Sequence, residues 1–454
     1  HALRRRGGGG GGGGPPPRPP PRPGPPPVGP KLPNPPSPRG GKFPPLPPAS
    51  LAAPPPRPSP PPPLFPPRPK PVTATPDLWL IPDAIYDGTR LRPGAALGIA
   101  GTRSMTIGTP PKGAPIRRIK GTLTPGFLDL QVNGGGDALL NNDQSPQALH
   151  TIAAAHRRFG TTGILPTVIT DAPEVLARAV EATLAAFAEP SPDRSLLGLH
   201  IEGPHLSIPR RGTHAAEHIR PFDATTFAHV QRLRAAGIFV KITVAPESTT
   251  PQDVARLAGL GAVVSIGHSD ATAEEVRALL DAGATSFTHL FNAMSPMLNR
   301  APGVTGACIN STAYAGIICD GIHVADEMVG LALRARPVPG RMFLVSDAMS
   351  TVGGSGHFRL YGQDVWLKDG RLVNAEGSLA GAHVTMAEGL RRLITIVGTN
   401  PEVALDMAVS APARLLNRPD LATPEQRDTA DLLLLDHDWR VTAILAEDLA
   451  IQPA

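Results

Sequence analysis

Between residues 126 and 347 the chain repeats one pattern: a short run rich in Val, Ile and Leu, a loop, and then a stretch with apolar residues at helical spacing. The apolar runs are, in chain order, GFLDLQV, GILPTVIT, LLGLHIE, FVKITVA, AVVSIGH, TSFTHL, AGIICD and MFLVSD. Eight strand and helix alternations within about 220 residues predict an α/β fold, a closed (β/α)8 TIM barrel. An open doubly wound sheet is the alternative that the same pattern permits.

The stretches between these runs carry helix start and stop signals. Several open on Ser, Asp or Thr and close on Gly, which are common capping residues. Four of these helix candidates are residues 145–159, 172–188, 223–237 and 272–283. Residues 382–416 predict two further helices that close the barrel.

Segments of a different kind flank the barrel, which we expect at residues 125–419. Residues 76–124 contain LWLIPDAIYDG and LGIAG, and residues 420–454 contain ADLLLLDHDWRVTAILAED, which indicate strands joined by turns. We expect the two segments to pair into one small β-sandwich built from both ends of the folded chain. A DG turn also lies inside VWLKDGRLV, at residues 365–373.

Proline and glycine dominate residues 1–75. Such a segment cannot bury enough apolar surface to offset the entropy of ordering it, which predicts a disordered extension with polyproline II character. The composition also fits translation of GC-rich DNA upstream of a true start. A proline-motif ligand or an RNA-binding arm are functional alternatives, and no interleaving of aromatic residues supports the second.

Charge and cysteine content exclude several classes of partner. The formal charge is +5, but residues 1–75 are rich in Arg and Lys and have no Asp or Glu, so the rest of the chain is acidic and no nucleic-acid partner is expected. No apolar run approaches the roughly 20 residues of a membrane span. Cys308 and Cys319 do not form a disulfide framework, and a reducing cytoplasm is the simplest location.

The active site of such a barrel lies at the carboxyl ends of its strands, so the polar residues that end the apolar runs are candidates for chemistry. Glu202, His268 and His289 end the third, fifth and sixth runs and would converge on the barrel axis. One carboxylate and two imidazoles, with a fourth position for water, form the ligand set of a catalytic Zn²⁺ site. A single histidine at a strand end is usually a hydrogen-bonded core residue, whereas three such positions together favour a metal.

Asp347 ends the eighth run. A carboxylate across the barrel from a metal can take a proton from metal-bound water and later pass it to the leaving group. The alternative is a helix N-cap, because Asp is favoured at that position. The residues alone leave both interpretations open.

A second group of polar residues could bind an anionic substrate. Arg300 and His323 offer donors to a phosphate, although Arg300 could equally be a solvated loop residue. Asn292 and the backbone N–H of Ala293 lie near a possible helix start, which could also bind phosphate. His214, on the loop after the third run, could orient a substrate carbonyl.

With all its motifs in order, the chain closely resembles the N-acetylglucosamine-6-phosphate deacetylases of the amidohydrolase superfamily, from about residue 76 to the end. The motifs are PGFLDLQVNGGGD, GLHIEGPHL, RGTHAAEH, VSIGHSDAT, THLFNAM, DGIHV, LVSDAM and GSLAGAHVTM. The resemblance implies a barrel with a small β-sandwich, and an enzyme of amino-sugar catabolism and cell-wall sugar recycling that releases acetate from N-acetylglucosamine 6-phosphate.

The resemblance also implies roles for single residues. Glu202, His268 and His289 match metal ligands, Asp347 matches the catalytic acid and base, and His214 matches a contact to the amide carbonyl. The implied cofactor is one divalent ion per subunit, with Zn²⁺ expected and Fe²⁺ or Co²⁺ also compatible.

Further matched positions bind the sugar phosphate: Asn292, Ala293, Arg300 and His323. The resemblance implies a homodimer in which Arg300 and His323 reach the neighbouring active site.

Gln131 and Asn133 stand where many amidohydrolases have two histidines for a second metal. An amide is a poor Zn²⁺ ligand beside imidazole or carboxylate, so a single-metal site is expected. Two alternatives remain open: another amidohydrolase substrate such as N-acetylgalactosamine 6-phosphate, and a catalytically inactive scaffold. Intact Glu202, His268, His289 and Asp347 argue against the scaffold.

Overall fold

The computed structural model describes residues 74–188, 195–374, 377 and 379–448. The predicted disordered extension therefore lies outside the described residues, apart from its last two positions.

Eight parallel strands form one sheet in which each strand pairs with the next along the chain. They coincide with the eight apolar runs, and a helix connects each strand to the following one. The strands are Phe127–Val132, Thr161–Ile169, Gly198–Glu202, Phe239–Val244, Val263–Ile266, Ser286–Phe287, Tyr314–Ile317 and Met342–Leu344, hereafter barrel strands 1 to 8.

Barrel strand 8 closes on barrel strand 1 through the residues at the carboxyl end. The backbone N–H of Ser346 donates to the Asp129 carboxylate at 3.2 Å, and the N–H of Asp347 donates to the Gln131 carbonyl at 3.0 Å. A parallel bridge between Val132 and Ala348 continues this contact. An open doubly wound sheet has no such contact, so the predicted (β/α)8 barrel is confirmed.

The helices of the barrel begin on side chains that cap the first turn. Ser145, Asp223, Thr250 and Thr272 each accept a hydrogen bond from a backbone N–H of the helix that follows. The helices are Pro146–Arg157, Pro173–Ala188, Ala224–Ala235, Pro251–Gly259, Ala273–Asp281, Gly303–Asn310, Asp326–Ala335, Met386–Thr395, Pro401–Leu405 and Ala411–Leu415, the last two joined by a π-helical turn at Asp406–Ser410. Among the described residues, none of the helices is both long and apolar enough to cross a membrane.

A small β-sandwich contains strands from both ends of the described chain, as predicted. Strand Leu432–Leu435 pairs antiparallel with Thr122–Pro125, and Leu80, Leu123 and Leu434 share one apolar core. The four-stranded sheet consists of Leu78–Ile81, Ala96–Ala100, Arg103–Gly108 and Ile116–Arg118, and the five-stranded sheet of Ala84–Tyr86, Leu91–Pro93, Thr122–Pro125, Leu432–Leu435 and Val441–Ile444. The short helix Leu445–Asp448 follows.

A separate three-stranded antiparallel sheet lies beside the barrel mouth. Its strands are His357–Leu360, Gln363–Lys368 and Arg371–Asn374, and we call it the mouth sheet. The predicted DG turn, Asp369 and Gly370, joins its second and third strands. Phe358 of the mouth sheet packs in one apolar cluster with Ile169 and Met349 of the barrel, so this sheet contacts the rim that carries the functional residues.

The barrel interior is polar directly beneath that rim. His200 bonds Thr167 through Nδ1 at 3.1 Å and Thr243 through Nε2 at 2.7 Å. Burial lowers the pKa of Lys241 to about 8, and its Nζ has no hydrogen-bond partner among the described residues. Burial also raises the pKa of Asp129 to about 7. Branched aliphatic side chains fill the interior of most barrels of this kind. Here charged and hydrogen-bonded side chains replace them in the layer beneath the site.

We expect the environment of His156 to make the free energy of unfolding decrease in acid. Its Nε2 donates to the Gly134 carbonyl at 2.9 Å, and burial lowers its pKa to about 4. An unfolded histidine titrates near pH 6.5, so stability present above about pH 6.5 is lost as the pH falls toward 4, by about 3 kcal/mol. Gln in place of His156 keeps a donor but takes no proton.

The measurement is urea unfolding of wild type and His156→Gln at pH 7 and pH 4.5. The variant should lose about 2–3 kcal/mol less than wild type between these values. His437→Gln, at an exposed side chain, is the matched control. An equal pH dependence for wild type and His156→Gln would contradict the assignment.

Candidate active site

A cavity of about 180 Å³ opens at the carboxyl ends of the barrel strands. Nine of the residues that the sequence singles out line it: Asn133, Glu202, His214, His268, His289, Asn292, Ala293, His323 and Asp347. Gln131 lies beneath them, bonded to Glu202 and Asp347. The barrel therefore brings together side chains from six of its eight strand ends.

The carboxylate and two imidazoles predicted to bind a metal lie in direct contact. Glu202 Oε1 is 3.2 Å from Nε2 of His268 and 3.2 Å from Nε2 of His289, and the two Nε2 atoms are 2.9 Å apart. All three side chains are buried. Three potential ligand atoms thus point at one small volume.

His268 is held by a backbone carbonyl behind it. Its Nδ1 donates to the Arg210 carbonyl at 3.0 Å, since a carbonyl can only accept. In the neutral ring the Nε2 lone pair then faces Glu202 and His289. A histidine whose Nδ1–H is bonded in this way is the usual form of a metal ligand.

His214 has the opposite environment. A ligand atom of His214 lies within 4.8 Å of those of Glu202 and His268, so proximity alone makes it a fourth candidate for the metal. Its Nδ1, however, accepts from the backbone N–H of Thr170 at 3.3 Å and lies 2.8 Å from the Thr170 hydroxyl. Distance alone therefore does not decide the role of His214.

The amide of Gln131 bridges the carboxylates of Asp347 and Glu202, and the amide of Asn133 also donates to Asp347. Nε2 of Gln131 donates to Glu202 Oε1 at 3.0 Å and to Asp347 Oδ1 at 3.1 Å. Nδ2 of Asn133 donates to the same Oδ1 at 2.8 Å. Gln131 thus bridges the two carboxylates, and Oδ2 is the oxygen of Asp347 that neither amide contacts.

The electrostatics separate the two carboxylates. Burial would raise the pKa of Glu202, but its contacts with His268 and His289 hold that pKa well below its usual range. Burial, and then the charge of Glu202, raise the pKa of Asp347. The pKa values of the two carboxyls are therefore shifted in opposite directions, down for Glu202 and up for Asp347.

The backbone is strained at these positions. His268, His289, Ala293 and Asp347 have φ values of 48°, 28°, 52° and 52°, a region that non-glycine residues rarely adopt. Such strain persists where the surrounding structure enforces it, and it is concentrated at functional sites.

The same strain corrects two interpretations of the sequence. No helix begins at Asn292 and Ala293, where a helix start was expected, because the positive φ values around them break the helical path; the next helix begins at Gly303. Asp347 is likewise not a helix N-cap, since the next helix among the described residues begins at Met386.

The residues matched to phosphate binding divide into two groups. His323 lines the cavity of its own chain, where Asp320 accepts a hydrogen bond from its Nδ1 at 2.6 Å. The prediction that His323 also reaches a neighbouring site stays a prediction, while Asp320 holds the ring at the end of barrel strand 7 in its own chain. Arg300 lies in an exposed turn and is not among the residues that line the cavity.

Several residues of the site went unnoticed in the sequence. Met349, Leu379 and Gly381 line the cavity from the segments that flank the mouth sheet. Thr170 directly follows barrel strand 2 and carries no charge. Its backbone N–H donates to Nδ1 of His214. The position of Thr170 at a strand end on the same rim is the feature of the sequence that could have identified it.

The fold and the site place the chain in a known class of hydrolase. A sequence profile of the amidohydrolase family matches residues 122–449, and the chain belongs to that family. An N-acetylgalactosamine-6-phosphate deacetylase of Shewanella sp. (strain ANA-3) is 40% identical over 339 residues, which are 74% of this chain and 85% of the relative.

Two further relatives carry a related name. The N-acetylglucosamine-6-phosphate deacetylase of Haemophilus influenzae is 33% identical over 324 residues, 70% of this chain and 84% of the relative. The crystal structure of N-acetylglucosamine-6-phosphate deacetylase from Pasteurella multocida superposes with a TM-score of 0.74 at 32% identity, covering 80% of this chain and 96% of that chain.

Proposed function

We propose that this protein hydrolyses the acetamide of N-acetylglucosamine 6-phosphate to glucosamine 6-phosphate and acetate. The observation that carries the proposal is the contact of Glu202, His268 and His289 beside Asp347, in a cavity that His323 also lines. The names of the relatives supply the substrate class.

The donor set fits one divalent cation, for which Zn²⁺ is the first choice and Fe²⁺ or Co²⁺ are compatible. Glu202, His268 and His289 would hold it, and their donor atoms already converge within 3.2 Å of one another. When bound, such an ion polarises the acetyl carbonyl and makes water a better nucleophile at neutral pH.

Asp347 carries the proton. Gln131 and Asn133 both donate to its Oδ1, which leaves Oδ2 to take the proton of the attacking water. The same oxygen then returns that proton to the amine nitrogen as the C–N bond breaks. The raised pKa of Asp347 suits a group that must both accept and donate.

His214 donates to the acetyl oxygen as negative charge develops on it. At the other end of the substrate, His323 and Asn292 bind the phosphate. Asp320 accepts a hydrogen bond from Nδ1 of His323 at 2.6 Å, which fixes the orientation of the ring.

N-acetylgalactosamine 6-phosphate is the second candidate substrate. The Shewanella relative at 40% identity bears that substrate in its name, while the Haemophilus influenzae relative named for the glucosamine epimer is 33% identical. The two sugars differ only at C4, so the chemistry at the acetamide is the same for both.

The first test is acetate release from both epimers by purified protein, before and after chelation and Zn²⁺ restoration. Turnover should require the metal, and Asp347→Asn should lower kcat by about 10²–10⁴-fold, because Asn cannot carry the proton. Asp369→Asn is the matched control: Asp369 has nearly the same φ, 50°, but lies in an exposed turn.

The unphosphorylated sugar should bind poorly, since it cannot use His323. Turnover of the galactosamine epimer alone would favour the second candidate. No acetate from either sugar with metal-loaded protein would contradict the proposal.

We infer that the protein is a homodimer in which Arg300 completes the phosphate end of the partner's site. Arg300 is exposed and is not among the residues that line the cavity of its own chain. Met297 and Leu298, in the same turn, are 44% and 57% exposed, an apolar surface that a partner would cover.

Mixed dimers test this arrangement. Arg300→Gln should raise KM about tenfold or more through loss of a charged donor, and Asp347→Asn should abolish turnover. In a tandem-purified heterodimer of the two variants, one of the two sites contains both native residues. Its kcat/KM per dimer should therefore be about half of the wild-type value. A heterodimer no more active than the Arg300→Gln homodimer would contradict a role in trans.

A further inference from the structure

The two histidines beside Glu202 have partners of opposite hydrogen-bonding character behind them. Nδ1 of His268 faces the Arg210 carbonyl, which can only accept, whereas Nδ1 of His214 faces the backbone N–H of Thr170, which can only donate. The ring centroids of the two histidines are 4.4 Å apart. Neighbouring imidazoles are thus set in opposite tautomers.

A backbone N–H at 3.3 Å requires a lone pair on Nδ1 of His214. The Thr170 hydroxyl has one proton and two acceptors in reach, Nδ1 of His214 at 2.8 Å and the Glu202 carbonyl at 3.3 Å, and it donates to the nearer one, Nδ1. The proton of the neutral ring must therefore sit on Nε2, the nitrogen that remains for the cavity. A protonated Nε2 can donate to a substrate oxygen, but it has no lone pair for a metal.

Thr170 is itself held from two sides. The Tyr361 hydroxyl, from the mouth sheet, donates to the Thr170 carbonyl. The hydroxyl oxygen of Tyr361 also interacts with the backbone of Ala215, next to His214. On the other side, Gly203 has φ of 87°, and a Cβ there would lie 2.2 Å from the Thr170 hydroxyl oxygen. Only glycine at position 203 leaves room for the hydroxyl to reach His214.

We propose that Thr170 is a positioning residue that holds His214 as the Nε2–H tautomer, with Tyr361 of the mouth sheet holding Thr170 in turn. His214 is then a hydrogen-bond donor to substrate and not a metal ligand, despite its position within 4.8 Å of Glu202 and His268 ligand atoms. The part that concerns substrate rests on the proposed function; the position of the proton does not.

The direct test is a neutron crystal structure of the metal-loaded protein after deuterium exchange. Deuterium is expected on Nε2 of His214 and on Nδ1 of His268. Deuterium on Nδ1 of His214, or a bond from its Nε2 to the metal, would overturn the proposal. This measurement needs no turnover, so it decides the tautomer even if the protein hydrolyses neither sugar.

Kinetics separate positioning from general destabilisation. Thr170→Val keeps the shape of the side chain and should lower kcat about tenfold with KM nearly unchanged, whereas Thr170→Ser should restore most of the rate. Tyr361→Phe should lower kcat by a smaller factor, about threefold.

Tyr86→Phe is the matched control for Tyr361→Phe. It removes another phenol hydroxyl, buried and bonded to Ser410 at 2.9 Å, away from the cavity, and should leave kcat unchanged. Wild-type kcat in Thr170→Val, or an equal loss in Thr170→Val and Thr170→Ser, would overturn the role of the hydroxyl.

Discussion

Three side chains with lone pairs are forced together at the mouth of this barrel, and the rest of the site is built around that constraint. Glu202, His268 and His289 lie within 3.2 Å of one another and are buried, an arrangement that is costly unless a proton or a cation lies between them. Behind them, the Arg210 carbonyl fixes one ring and the Gln131 amide fixes the carboxylate. The strained backbone at the two histidines is the conformational cost of aiming them at one point.

The polar interior of the barrel follows from the same constraint. A buried anion such as Glu202 needs donors and compensating charge nearby, and Lys241 and the His200 layer lie beneath it where aliphatic packing would be usual. Apolar packing is concentrated instead between the strands and the outer helices and in the sandwich core. The packing of strands against outer helices and the sandwich core thus stabilise the fold, while the polar interior of the barrel supports the site.

The sequence was sufficient for the barrel and for the contact of Glu202, His268 and His289 at its mouth, because strand period and strand-end position determine both. It was not sufficient where the answer depends on tertiary contacts. Thr170 contacts His214 through a common hydroxyl and through a backbone N–H that every residue except proline has, so the residue type carries little signal. Phe291 and Ala293, on either side of Asn292, have positive φ values imposed by their surroundings, which local propensity cannot anticipate. The anchoring of His323 by Asp320 is visible in retrospect, three residues apart, but only the structure shows which cavity the ring enters.

The central claim is that Glu202, His268 and His289 hold a metal while His214, with a ligand atom within 4.8 Å of those of Glu202 and His268, does not. Its most direct measurement is the Zn²⁺ content and affinity of purified single variants, by elemental analysis and competitive titration. Glu202→Gln, His268→Gln and His289→Gln should each lose about 10²-fold or more in affinity, and His214→Gln should retain about one ion per chain with nearly wild-type affinity. Loss of the ion in His214→Gln, or its retention in Glu202→Gln, would contradict the account.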